Sequence, residues 1–413
     1  MRHKKSSNSD NWKKALKAYQ QGKLFHAIYL RLKCFLRGFR YLAHNPVSGK
    51  VSLHCPEYIT PDRDELEIVE RIFRSFKKMK QDQQKTSTDY LPSSIWQTQL
   101  DRAYSYLIAG LKENDINKFH YFLANFGAWK EYHGVESATF IRENMNSFIK
   151  RRYLQNDVFY KQLKIWKWFY NDRKQVSCLG YPMYGNQAGA YIDGVFVGLG
   201  SFFNEIYGAL LSGLICNVKH PVVAELGAGY GKLAYFTLRD IDDFTFIDFD
   251  LPETLCLAAY YLMKVYPDKK ILLYGEEDYS PDAHKKYDLI FMPSYEIFKM
   301  GESTVDLFIN KNSLGEMTKE AVYNYIAYIS KATKGYFFHM NHEISPNIYS
   351  NNERGLLGYE YPVPKDNFTL LFRYPDIGHM LSRGFLDFGM DIFVYLYERK
   401  SHLAPNTEKG KVP

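Results

Sequence analysis

The chain has 413 residues, 46% hydrophobic and 17% aromatic, with 35 tyrosines. That is enough apolar material for a large core and for two domains, and it excludes a disordered chain. The net charge of +7 is unevenly held: residues 1–50 carry twelve Lys or Arg against Asp10 alone, +11, which leaves residues 51–413 at −4. No apolar run approaches the roughly 18 residues of a membrane span, and the first residues lack the uninterrupted apolar core of a signal peptide. Five scattered cysteines, Cys34, Cys55, Cys178, Cys216 and Cys256, form neither a metal cluster nor a disulfide framework, which fits a reducing cytoplasm.

Residues 1–50 form a basic leader. From Trp12 to Tyr41 basic residues alternate with Leu24, Phe25, Ile28, Tyr29, Leu32, Phe35 and Leu36 near helical spacing. Two readings stand side by side: a basic amphipathic helix on an anionic membrane surface, peripheral at the inner face, or a helix docked on its own protein with its charged face in water. Nucleic acid is not an expected partner, because no recognition module accompanies the charge.

A helical domain is expected over 51–175, with helices at 63–81, 94–128 and 137–170 and with Ser94 capping the second. Residues 176–215 form a connecting, substrate-facing segment. Its stretch G-Y-P-M-Y-G-N-Q-A-G-A-Y-I-D-G-V-F-V-G-L-G over 180–200 is too rich in glycine for a helix, and Asp193-Gly194 suits the turn of a short hairpin. Asp193 and Tyr184 are candidates to reach an acceptor from this segment, although a glycine-bracketed Asp also serves a turn alone. A helix over 201–214 leads into the next domain, 216–400, after which 401–413 is a polar tail.

Strands and helices alternate from Pro221 onward, the pattern of an open, mostly parallel sheet covered on both sides. Val222–Lys232 reads V-V-A-E-L-G-A-G-Y-G-K. An apolar strand ends at Glu225, turns on Gly227, Gly229 and Gly231, and feeds a helix whose free N–H groups face whatever occupies the turn. The third glycine comes one residue earlier than in the dinucleotide fingerprint G-x-G-x-x-G. Glu225 would also repel a pyrophosphate, whereas it attracts an ammonium group or a ribose hydroxyl.

The second strand, F-T-F-I-D-F-D, ends in Asp248 and Asp250, about twenty residues past the glycines. A carboxylate there is placed to accept hydrogen bonds from ribose hydroxyls, and Asp250 and Asp248 are both candidates. Strands are expected at 222–226, 244–248, 271–274, 287–292, 305–310, 334–340, 368–373 and 391–397, and helices at 230–239, 251–265 and 318–331. The last two strands suit an antiparallel pair.

E-x-G-x-G-x-G resembles motif I of the class I methyltransferases that use S-adenosylmethionine. The chain further resembles a family of sugar O-methyltransferases associated with bacterial surface polysaccharide gene sets. The matching segments are A-E-L-G-A-G-Y-G-K-L at 224–233, D-L-P-E-T-L at 250–255, A-Y-Y-L at 259–262 and V-D-L-F-I-N-K-N-S-L-G-E-M at 305–317, with weaker likeness back to P-S-S-I-W-Q at 92–97. The resemblance implies a Rossmann-like class I methyltransferase sheet behind a helical N-terminal domain. It also implies S-adenosylmethionine as cofactor, a small-molecule or glycan acceptor, and an Asp at position 250 contacting the adenosine. Such a sheet has seven strands, so either 271–274 or 287–292 is expected to be an extra hairpin arm.

In-line methyl transfer to a hydroxyl needs positioning and a base. Asn312, Ser313 and Glu316 follow the strand 305–310, with Glu316 a candidate base or its orienter and Asn312 a ligand for a sugar hydroxyl. Their alternative is capping duty, Ser313 and Glu316 completing a box. His342 at the end of the next strand is a second candidate base, while His339 points into the sheet or its covering layer. No metal is expected from His339, His342 and Glu343, and Glu276-Glu277-Asp278 reads as an exposed acidic turn. The rival functions are methylation of another small molecule or a protein, a nicotinamide-dependent oxidoreductase, and an inactive scaffold. Oligomer formation is compatible with all of them.

Overall fold

The computed structural model describes residues 23–43, 50–129, 138–378 and 391–400. The leader before residue 23 and the tail 401–413 lie outside them. The central sheet has eight strands: β4 (Val222–Leu226), β5 (Thr245–Asp250), β6 (Ile271–Leu273), β7 (Leu289–Pro293), β8 (Val305–Lys311), β9 (Thr333–His342), β10 (Phe368–Pro375) and β11 (Ile392–Arg399). A smaller sheet consists of β1 (Val51–His54), β2 (Gly189–Ile192) and β3 (Val195–Val197).

The strand order of the large sheet is β10-β11-β9-β8-β4-β5-β7-β6, and β11 alone runs against its neighbours. The chain leaves β4 toward β5 and β7, then returns to the other side of β4 at β8. That reversal opens a crevice at the C-terminal ends of β4 and β8, where ligands bind in sheets of this kind. The expectation of a hairpin arm is corrected here. Ile271–Leu273 is the additional strand, and it joins the edge in parallel with β7.

Side chains alternate between two cores. Val223, Phe246, Phe291, Leu307 and Phe338 face one layer with the helices Leu66–Gln83, Ser201–Ile215 and Pro252–Val265. Ala224, Ile247, Ile290, Phe308 and Phe337 face the helix Lys319–Ala332. Burial on both faces explains why these strands read as continuous apolar runs. Each fully buried large side chain contributes roughly 1.5–3 kcal/mol. Local signals start the helices: Pro252 occupies the first turn of its helix, and Thr318 accepts from the Ala321 N–H at 3.4 Å.

The helical region departs from expectation in three places, the first being that 94–128 is divided into the helices Ser94–Arg102, Ser105–Lys112 and Ile116–Asn125. Ser93 rather than Ser94 caps the helix Ser94–Arg102, accepting from the Trp96 N–H at 3.4 Å. The tract 137–170 is broken into Ala138–Met145, Phe148–Tyr153, a π-helical stretch Leu154–Tyr160 and Lys161–Phe169. The hairpin at Asp193-Gly194 forms as expected, with φ of 50° and 82°, and β2 also pairs with β1, 141 residues earlier at Val51↔Ile192. Asp193 sits at the tip of this hairpin, ion-paired with Lys50 at 3.4 Å, and does not line the crevice. Its candidacy as a catalytic residue is therefore corrected: it stabilises the turn.

Candidate active site

The crevice is a cleft of about 910 Å³ walled by the ends of β4, β5, β8 and β9 and by residues of the helical region, among them Trp96, Phe140 and Gln162. Its floor is the glycine turn. Gly227, Gly229 and Gly231 all have positive φ, 84°, 65° and 86°, which side chains other than glycine adopt only with strain. A Cβ on Gly227 would also overlap Ser313 Oγ, which donates to the Leu226 carbonyl at 2.9 Å. Gly231 then caps the helix Lys232–Leu238 in the left-handed conformation.

Two of the three acids expected at the cofactor, Glu225 and Asp250, line the cleft. Glu225 is almost wholly buried, and its Oε2 has no partner within the protein. Burial pushes it up to about 7, opposed by the positive charge of Lys311 and assisted by Asp250. Asp250 accepts the Gly229 N–H at 3.1 Å and the Leu251 N–H at 2.7 Å. Burial lifts it to about 6 against the hydrogen bonds from Thr254, Leu251 and Gly229. Asp248 is fully buried and is not part of the cleft wall, so its cofactor-binding role is corrected. Burial beside Asp250 and Glu225 holds its carboxyl well above the usual range, the Ala228 amide pulling the other way.

Past β8 the chain turns through Asn312, whose φ is 58° and whose N–H donates to Met340 O at 2.7 Å. Asn312 lines the cleft, and its Oδ1 has no partner within the protein. The capping box that was the alternative role for Ser313 and Glu316 does not form. Ser313 makes no side-chain cap, and Glu316 instead accepts from Trp96 Nε1 at 2.7 Å. Burial raises Glu316 to about 7, with the Trp96 bond drawing it back and Asp250 adding repulsion.

His342 also lines the cleft, with Nδ1 2.7 Å from Asp391 Oδ2. Asp391 takes the Ile344 and Ser345 N–H groups at 2.9 and 2.8 Å on its other oxygen. Burial would raise Asp391, yet these amides and His342 hold it below its ordinary value. An Asp that accepts from Nδ1 leaves Nε2 as the free basic nitrogen. His339 is buried outside the cleft, stacked 4.3 Å from the Tyr395 ring, and burial lowers it to about 3. Glu343 pairs with Arg373. In the acidic turn, Glu276 and Glu277 pair with Arg71 and Lys286.

Three residues in or beside the cleft were not singled out from the sequence. Asp391 is brought to His342 by the antiparallel register of β9 and β11, in which Ile392 faces His342. Lys311, at the tip of β8, donates to Asn204 Oδ1 at 2.7 Å and bears on Glu225. Its place inside the V-D-L-F-I-N-K-N-S-L-G-E-M segment was the one available hint. Trp96 reaches the site from 220 residues earlier in the chain.

The strand order 6-7-5-4-8-9-11-10, with strand 11 reversed, is that of a Rossmann-like class I methyltransferase sheet carrying one added edge strand. The glycine turn, Glu225 and Asp250 occupy the switch point of that sheet. No protein-family model matches the chain, and no curated protein does. Among solved structures, it is similar to a SAM dependent methyltransferase from Aquifex aeolicus (13% identity, TM-score 0.32, 48% of this chain and 89% of that one). It is also similar to the Burkholderia thailandensis 1,6-didemethyltoxoflavin-N1-methyltransferase with bound S-adenosylhomocysteine (16%, 0.32, 48% and 79%). A third is the mitomycin 7-O-methyltransferase MmcR (12%, 0.29, 48% and 57%).

Proposed function

We propose that the protein is an S-adenosylmethionine-dependent O-methyltransferase acting on a sugar hydroxyl, of a surface polysaccharide or its precursor. The observation that carries the cofactor reading is the opposite charge of Glu225 and Lys311 at the adjacent tips of β4 and β8. A zwitterionic amino acid group needs one anion and one cation there, and a pyrophosphate would meet Glu225 as a repulsion. The residues fit: Glu225 Oε2 is an unpartnered acceptor for the ammonium, Lys311 takes the carboxylate, and Asp250 receives ribose hydroxyls beside the glycine turn. Bound there, the cofactor supplies a methyl group made electrophilic by its positively charged sulfur.

The chain's own residues then provide position and a base. His342, its Nδ1 fixed by Asp391, takes the hydroxyl proton on Nε2. Glu316 and Asn312 hold neighbouring hydroxyls, Glu316 anchored by Trp96 and Asn312 through its unpartnered Oδ1. Phe140, Phe203 and Trp96 give the wall apolar faces for a pyranose ring. The resemblance of residues 224–233, 250–255 and 305–317 to sugar O-methyltransferases supports the same acceptor class. The test is methyl transfer from labelled S-adenosylmethionine to a panel of sugar nucleotides and polysaccharide fragments, with catechols and a protein extract as competitors. Label on a sugar is the expected result; label only on catechol or protein rejects the acceptor class.

A further inference from the structure

The helix α1 (Lys23–Phe39) is seated on the protein by one face and bare on another. Gly38 is buried so closely on the helix Phe148–Tyr153 that a Cβ would overlap the Ile149 carbonyl. Asp157, nearly buried, receives Arg37 at 3.7 Å, Arg40 at 3.4 Å and the Tyr41 hydroxyl at 2.8 Å. Of the two readings of the leader, docking on the protein holds for this seated side, but the apolar stripe is not part of the seat. Ile28, Tyr29, Leu32, Phe35, Leu36 and Phe39 are 40–58% exposed, at spacings of three and four that place them on one side of the helix.

A contiguous row of six large apolar side chains in water marks an interaction surface. We propose that this stripe seats on an anionic lipid surface, with α1 lying in the interface plane. Charge selects lipid over a second copy of the chain. Residues 1–50 carry twelve basic residues against one acid, so pairing two leaders would bring like charges together, while an anionic headgroup layer attracts both. Exposed Arg31 lies beside the stripe, where its charge would meet the headgroups. Among the described residues no helix is long and apolar enough to cross a membrane, so the attachment is peripheral.

The position of α1 gives the attachment a use. Arg37, on its seated side, lines a cavity of about 150 Å³ that shares Phe140, Val158 and Gln162 with the wall of the large cleft. Seating the stripe on lipid holds that wall near the headgroups, where a membrane-bound acceptor is presented. The lipid contact itself stands independently of the methyl-transfer reading.

The experiment is flotation of the full chain with vesicles of phosphatidylcholine alone and of phosphatidylcholine with phosphatidylglycerol, for wild type and for Leu32→Glu combined with Leu36→Glu. Wild type should float with the anionic vesicles and be released by salt. The double variant should lose on the order of tenfold or more in partitioning while keeping its thermal melt. Hydrogen exchange of residues 28–39 on wild type, which needs no substitution, should slow on anionic vesicles. Wild type that stays with the unbound fraction, a variant that binds equally, or a wild-type dimer that the substitutions dissolve without any vesicle binding would each overturn the proposal.

Discussion

The backbone N–H of Gly229 donates to Asp250 Oδ2 at 3.1 Å, so the middle of the glycine turn is fastened to the tip of the neighbouring strand. With Leu251 on its other oxygen at 2.7 Å, the Asp250 carboxylate both shapes the turn and stays open to the cleft. Asp250→Ala removes both acceptors. It should cost about 1–3 kcal/mol of stability and weaken S-adenosylhomocysteine binding at least tenfold. Thermal melts with and without ligand, together with calorimetry, measure the two effects separately.

A base held by a carboxylate behaves differently from a hydroxyl-binding group. His342→Gln should lower kcat by about 10²–10⁴ with S-adenosylmethionine affinity within twofold of wild type. Asp391→Asn keeps the imidazole but no longer selects its tautomer, so the loss should be smaller and the pH profile altered. Equal loss of ligand binding in both variants would mean the pair is structural.

Burial has already set a pH signature. Glu225 stands at about 7 in the free protein against an ordinary 4.5. Between those values the folded protein holds more protons than the unfolded chain, so this group's contribution to stability falls as pH rises through the window. A ligand ammonium binds the ionised form, hence affinity for S-adenosylmethionine should rise toward pH 7 by up to about tenfold per unit. Calorimetry from pH 5.5 to 8 reads the slope, and Glu225→Gln should flatten it while weakening binding. A slope that survives that substitution assigns the titration to another group.

Trp96 donates to Glu316 and holds its carboxyl down. In Trp96→Phe that bond is lost, and Glu316 should stay protonated to higher pH. The acid limb of kcat/KM should then move upward, with the cofactor dissociation constant unchanged. An unmoved limb would remove Glu316 from the acceptor site.

The sheet was legible because its strands are apolar on both faces and bounded by turns, and β4 is found at the residues expected. The added strand was legible in existence but not in pairing, since three residues, Ile271–Leu273, carry no sign of their direction. Glu225 and Asp250 were legible from their fixed offsets to the glycines. Asp391 was not, because its role depends on the register of two strands about fifty residues apart. Asp193 misled for the opposite reason: a residue between a strand and a glycine reads equally well as a turn and as a site. Trp96 and β1 act across 220 and 141 residues, distances over which local pattern says nothing.

The central claim is that the switch-point cleft is built for a methyl donor's zwitterionic end. Isothermal titration calorimetry of wild type and Gly229→Asp with S-adenosylmethionine, S-adenosylhomocysteine and NAD tests it most directly. Wild type should bind each methyl-cofactor form at one site, Gly229→Asp should lose both, and NAD should give no heat. Binding of NAD with neither methyl-cofactor form bound would contradict the claim.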